Sequence, residues 1–272
     1  MSHFICSTCG TQFAESAAPP AACPICDDER QYVGHGGQQW TTLEALRETH
    51  QNVVREEEPQ LFGIASEPGF AIGQRALLIQ SPAGNVLWDC ISLIDNATVA
   101  SVRALGGISA IAISHPHFHA SMIEWSRAFD GAPIYVHAVH RNFVMRPDPA
   151  IVFWEGDSVT LQDGVALIRC GGHFPGSAVL HWRDGADGLG ALFTGDTVYV
   201  VADRRYVSFM YSYPNLIPLP AHAVDRIVRA LEPYAFKRIY SAWFERVLAA
   251  DAKAALARSA ERYKRALSAP DR

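Results

Sequence analysis

Residues 108–119 read Ile108-Ser109-Ala110-Ile111-Ala112-Ile113-Ser114-His115-Pro116-His117-Phe118-His119. The first six form an apolar, isoleucine-rich run with the length and composition of a buried strand. The run ends in a segment with a histidine at every second position. Binding and catalytic groups are commonly carried on loops at strand ends, where a rigid scaffold holds them. Neutral imidazole is the commonest side-chain ligand for zinc, iron and related metals. A lone histidine here would read as a satisfied core residue. His115, His117 and His119 together, leaving one strand end, point to a metal site.

Strands and helices alternate outward from this run. Gly73 to Ile79 and Asn85 to Cys90 are apolar runs joined by Pro82-Ala83-Gly84, a hairpin pattern. Thr98 to Leu105 and Ala120 to Phe129 have helical periodicity, and Pro133 to Val136 reads as a strand. Further strands are expected at Val165 to Cys170, Ala178 to Trp182, Ala191 to Phe193 and Arg238 to Tyr240. Ala221 to Leu231 and Val247 to Leu267 read as helices. Gln39 to Glu58 fits a helix capped at Thr41/Thr42, followed by a charged connector, Arg55 to Glu58. Strands interleaved with helices predict a layered α/β domain.

The N-terminal segment is different in kind. It carries Cys6-Ser7-Thr8-Cys9-Gly10 and Cys23-Pro24-Ile25-Cys26, with few large apolar residues and an Ala/Pro-rich stretch from Ala17 to Ala22. So small a segment cannot bury enough surface to fold unaided. Two Cys-x-x-Cys turns can each bring two thiolates to one cation, and together they complete a tetrahedral sulfur set. The segment resembles zinc ribbons and the short rubredoxin-like domains, which implies a structural zinc, with iron as the alternative. The expected organisation is a four-cysteine knuckle over residues 1–34, a helical connector over 35–60 and the main domain over 61–272.

Two later motifs complete the pattern. Gly171-Gly172-His173-Phe174-Pro175-Gly176-Ser177 precedes a strand, and Leu192-Phe193-Thr194-Gly195-Asp196 ends one. The order His-x-His, Gly-Gly-His-x-Pro-Gly-Ser, Phe-Thr-Gly-Asp is similar to the metallo-β-lactamase superfamily. Trp88-Asp89-Cys90 also looks like that superfamily's early strand pair closing on an aspartate. The resemblance covers roughly residues 61 to 250 and implies an αββα four-layer sandwich. It implies that His115, His117 and His173 bind a first metal and that Asp196 bridges to a second.

The chain departs from the family pattern His-x-His-x-Asp-His. His119 stands where the aspartate is expected and Ala120 where the last histidine is. No histidine occurs from Arg238 to Phe244, where the family's final ligand would fall. A single-metal site is therefore the expectation, holding zinc, or iron or manganese. His119 then serves as a ligand, a proton carrier or a partner of the ligands, and Asp196 as a ligand or catalytic carboxylate.

The net charge of −5 leaves no basic excess to neutralise phosphates, so a general nucleic-acid or acidic-membrane partner is not expected. The apolar runs are too short to span a bilayer. The start Met1-Ser2-His3-Phe4-Ile5-Cys6 shows no export pattern, and the cysteines fit a reducing cytoplasm. His137 and His140 read as helix-start residues, His181 and His222 as structural or surface residues, and Cys90 and Cys170 as buried small hydrophobes. Arg204 to Pro214, aromatic and basic, fits a pocket lining, a packed loop or a contact between copies.

The leading functional reading is a metallo-hydrolase. A metal-bound hydroxide would attack a small-molecule ester, thioester, lactone or amide. The alternatives are a non-catalytic metal-binding scaffold and an iron-dependent oxidoreductase. Homo-oligomerisation is left open.

Overall fold

The computed structural model describes residues 1–268. The chain divides into two compact units, Met1–Trp154 and a second beginning at Glu155.

In the first unit, β1 (Ile5–Cys6) pairs with β2 (Trp40–Thr41), and the one-turn helix α1 (Pro24–Asp27) carries Cys26. Helix α2 (Leu43–Thr49) starts at Thr42, whose hydroxyl accepts the Ala45 N–H at 3.3 Å. One sheet then runs in chain order through β3 (Gln51–Glu58), β4 (Leu61–Glu67), β5 (Ala76–Ile79), β6 (Val86–Trp88), β7 (Ala110–Ala112), β8 (Ile134–His137) and β9 (Ile151–Trp154). Neighbours from β3 to β6 are antiparallel, and those from β6 to β9 are parallel. Parallel neighbours need crossovers. Helices α3 (Asn96–Ala104) and α4 (Met122–Ala128) occupy the two that flank β7.

Leu78, Leu87, Ile111, Ile113, Trp125 and Ile134 are buried in a single core. Each contributes about 1.5–3 kcal/mol through the apolar surface it removes from water. The Trp125 indole N–H donates to the Ile91 carbonyl at 2.9 Å, so the largest of these side chains carries no unsatisfied donor.

Residues 51–58 correct the sequence reading. The expected helix ends at Thr49, and the charged run belongs to β3, the edge strand of the sheet. Charged side chains on an edge strand block pairing with another chain. Glu57 also ion-pairs with the buried Arg75 at 2.9 Å.

The cysteine segment packs into this unit. Ile5 belongs to the main core, and the Ser92 hydroxyl donates to the Gly10 carbonyl at 2.8 Å. Gly10 has φ +79°, and a Cβ there would lie 2.5 Å from that hydroxyl oxygen. The glycine after Cys9 is thus required on both counts.

The second unit holds β10 (Ser158–Gln162), β11 (Val165–Arg169), β12 (Ala178–Trp182) and β13 (Ala191–Phe193), antiparallel neighbours, with the short α5 (Gly185–Gly188) before β13. Two small pairs follow: β14 (Tyr199–Val200) with β15 (Val207–Ser208), and β16 (Met210–Ser212) with β17 (Ile217–Pro218). Helix α6 (Ala221–Leu231) leads to β18 (Arg238–Tyr240), parallel to β13; β19 (Val247–Leu248) pairs with β18, and α7 (Ala252–Ser268) follows. The final helix therefore starts five residues later than its periodicity suggests, because Val247 and Leu248 pair as a strand. Val179, Leu192, Phe209, Val224, Ile227 and Leu256 form this unit's core. The observed class is the expected one, mixed α/β with a four-cysteine cluster near the N-terminus. No helix among the described residues is long and apolar enough to cross a membrane.

Candidate metal centres

All six cysteines are free thiols and buried. Cys6, Cys9, Cys23 and Cys26 bring their sulfurs within 4.8 Å of one another. Cys6 lies 3.5 Å from Cys26, and Cys9 lies 3.7 Å from Cys23, sulfur to sulfur. Four sulfurs about 2.3 Å from one ion in a tetrahedron stand about 3.8 Å apart. The cluster therefore fits a tetrahedral metal. Sulfur contacts from Cys23 and Cys26 hold the Cys6 thiol far below its ordinary range, which is the direction a ligating thiolate needs. The Gln38 side-chain N–H donates to that same sulfur at 3.1 Å. The Phe13 and Trp40 rings meet edge to face beside the cluster, 4.9 Å between centroids.

In the first unit, β7 delivers His115 and His117 to one place. Their rings stand 5.1 Å apart between centroids, and both are buried. Asp89 at the end of β6 accepts the Ser114 N–H at 2.8 Å and so fixes the strand end. The Ser114 hydroxyl lies 2.8 Å from His115 Nδ1, which orients the ring with Nε2 as its second polar atom. Burial alone pushes His115 down to about 3, so its imidazole is neutral at physiological pH and able to ligate.

His119 follows on the same turn and is also buried. Its Nδ1 lies 3.2 Å from the Phe143 carbonyl. A carbonyl only accepts, so Nδ1 carries the proton and Nε2 keeps a lone pair. Nε2 has no hydrogen-bond partner among the described residues. Burial pushes His119 down to about 4, against a smaller opposing effect of that carbonyl. The ring lines a small cavity shared with Gln12 and Arg146.

The second unit carries His173 and Asp196. His173 Nε2 is 3.7 Å from an Asp196 carboxylate oxygen. His173 Nδ1 lies 3.3 Å from the Met210 carbonyl, which sets its tautomer as Phe143 sets that of His119. Asp196 sits on a turn closed by Thr197 N–H to Thr194 carbonyl at 2.9 Å, and Thr194 N–H donates to the Tyr240 carbonyl at 3.0 Å. Burial pushes the Asp196 carboxyl up to about 6, with His173 a smaller opposing influence. Such a carboxylate gains from a cation beside it. The buried imidazoles of the first unit and the buried imidazole and carboxylate of the second are each donor types suited to a divalent transition metal.

Other sequence-flagged residues lie as follows. His137 and His140 sit in a buried turn, 6.3 Å apart between ring centroids, with His137 against Trp154. His181 lies on β12 and bonds the Ala235 carbonyl at 2.7 Å, a structural role. Cys90 and Cys170 are buried as expected, and burial pushes the Cys170 thiol up to about 12, leaving it inert. Ala120 and Ser241 stand near the positions where the family's further histidines fall. Ser241 is occupied otherwise: its hydroxyl accepts the Val200 N–H at 2.9 Å and donates to the Val198 carbonyl at 3.1 Å. Sequence reasoning missed Ser114, Met210 and Phe143, because two of the three act through backbone carbonyls that any residue would supply.

A sheet-and-helix scaffold with histidines at a strand end and an aspartate on a strand-end turn defines a metallo-hydrolase class of protein. The comparisons agree. The family described as the metallo-beta-lactamase superfamily matches residues 71–228. The chain is 50% identical over 270 residues to "Uncharacterized protein YmaE" of Bacillus subtilis (strain 168), covering 98% of this chain and 98% of that protein. Among solved structures it is similar to VMB-1 at TM-score 0.59 and 14% identity, over 80% of this chain and 99% of that one. DIM-1 metallo-beta-lactamase gives TM-score 0.59 and 17% identity, over 79% and 98%. FIM-1 from Pseudomonas aeruginosa, in its mono-zinc form, gives 0.57 and 14%, over 78% and 96%. This chain belongs to the metallo-beta-lactamase superfamily.

Proposed function

We propose that this protein hydrolyses a small-molecule ester, thioester, lactone or amide at a single metal ion held by His115, His117, His173 and Asp196. A structural zinc at Cys6, Cys9, Cys23 and Cys26 completes the metal inventory. The observation that carries the reading is the donor set: buried imidazoles, and a carboxylate that burial lifts to about 6 against the smaller opposing influence of His173. The single-ion reading is supported by Ala120, which offers no ligand atom, and by Ser241, whose hydroxyl is engaged by backbone. The reduced thiols suit a reducing, cytoplasmic setting.

A divalent ion at such a site supplies Lewis acidity towards a carbonyl oxygen and lowers the pKa of a water to about 7. The chain's own groups do the rest. The Met210 carbonyl holds His173 in the tautomer that presents Nε2, and the Ser114 hydroxyl holds the His115 ring in its orientation. Asp196 places a negative charge beside His173. His119, neutral and with a free lone pair at Nε2, can accept a proton and return it.

Ser114→Ala is expected to lower metal affinity at the histidine site about 10–100-fold while leaving the fold intact, as outer-shell changes do. Metal content after dialysis against a weak chelator reads this out; full retention would show that Ser114 does not orient His115.

The activity itself is tested with a panel of nitrophenyl esters, a thioester, a lactone and a nitroanilide. Turnover of at least one class is expected, lost on chelation and restored by zinc. A fully metallated protein inert towards every class would favour the non-catalytic scaffold.

A further inference from the structure

The second unit has a separate cavity of about 550 Å³, in the range of small-molecule sites, between helix α6 and the β10–β11 edge. Arg169, Arg226 and Arg229 line it, together with Asp157, Gly171 and Tyr234. None of the three arginines makes an ion pair among the described residues. Off the lining, Asp225 feels the Arg229 charge more weakly than that of Lys264, to which it is bound at 2.8 Å.

Two of these guanidiniums are anchored through one edge. Arg226 Nε donates to the Cys170 carbonyl and Arg169 Nε to the Pro175 carbonyl, each at 3.1 Å. Each Nε bond leaves the terminal amino groups of a rigid, planar fork to bind something else. Gly171 makes the seat possible. It has φ +67°, and a Cβ there would lie 2.4 Å from Arg226 Nη2. Any other residue would push the guanidinium off the backbone it rests on. Three positive charges, two of them anchored, against the one carboxylate of Asp157 leave the groove short of about two negative charges. That balance matches a phosphate dianion better than a single carboxylate. The half-buried Tyr234 ring, held against His181 at 5.2 Å between centroids, forms an aromatic wall beside the cations.

We propose that this groove binds a phosphomonoester, its phosphate held by the forks of Arg169, Arg226 and Arg229 and its organic group laid against Tyr234. The site is independent of the hydrolytic reading, since none of its lining residues is a proposed metal ligand.

Titration calorimetry of the full, metal-loaded chain tests it, with inorganic phosphate and phenyl phosphate as probes against chloride at equal ionic strength. Saturable binding of both is expected, tighter for phenyl phosphate. Arg229→Ala, an exposed change that breaks no hydrogen bond, is expected to weaken both by about tenfold or more. Arg226→Lys, which keeps the charge and loses the fork, is expected to do the same. His173→Ala is expected to leave the phosphate binding within about twofold. Binding that survives Arg229→Ala and Arg226→Lys but disappears in His173→Ala would place phosphate at the metal centre and overturn the proposal. So would an absence of saturable binding in the unaltered chain.

Discussion

Cys6→Ser/Cys9→Ser is expected to remove one metal ion per chain and to destabilise the whole first unit, not only the knuckle. A structural zinc supplies on the order of 10 kcal/mol of folding free energy to a segment of this kind. A typical domain has only about 5–15 kcal/mol in total. The segment alone cannot replace that loss, since its buried apolar groups beyond the cysteines are few: Ile5, Phe13 and Ile25. Read from the sequence, the segment would fray on metal loss while the main domain persisted. Its contacts argue for wider damage. Gln12 N–H donates to the Ala120 carbonyl at 3.0 Å, and Ala14 N–H to the Met145 carbonyl at 3.1 Å. The Arg146 guanidinium joins the Gln12 side chain to Glu124 of α4. These bonds tie the cysteine loop to the turn that carries His115, His117 and His119. The variant should therefore melt at a lower temperature and release metal from the histidine site more readily. Elemental analysis, thermal melting and limited proteolysis check this together. One ion fewer with an unchanged melting temperature would mean that the knuckle is an appendage.

Much of this arrangement was legible in the sequence, for reasons particular residues make plain. Ala178–Trp182 and Ala221–Leu231 were read with the bounds they have, because one is fully buried and the other strongly amphipathic. The ligand candidates were legible because unrelated stretches each place a side chain of metal-binding type on a loop beside a strand. Strand β3 was not legible. Arg55-Glu56-Glu57-Glu58 has low strand propensity, and its place is set by pairing with β4 and by the Glu57–Arg75 ion pair. The β19 pairing of Val247 and Leu248 was hidden for a related reason: two residues carry no period of their own. The arginine groove was invisible too. Arg226 and Arg229 are three residues apart on α6, but Arg169 is far from them in sequence, and only the packing of α6 near the end of β11 collects all three.

The second large effect is expected at the histidine site. On the proposed ligand set, His173→Ala removes one of three imidazoles and takes away the ring whose Nε2 lies 3.7 Å from the Asp196 carboxylate. An outer-shell loss costs about 10–100-fold in metal affinity, and loss of a ligand costs more. The variant should therefore lose the ion at this site under dialysis, keep the ion at the four cysteines, and lose its hydrolytic turnover. His119→Ala separates the remaining roles. As a proton carrier, His119 accounts for about 10²–10⁴-fold in rate with metal content unchanged; as a ligand, it takes metal content down with it. The buried Nε2 lone pair and the Phe143 bond are compatible with either role, but the ring also borders the Gln12–Arg146 cavity. A group on that side, bonded to the Phe143 carbonyl, is better placed to pass a proton than to hold an ion. The expected result is reduced turnover at full metal content. A matched fall in metal would assign His119 to the ligand set instead, and full turnover would remove it from the chemistry.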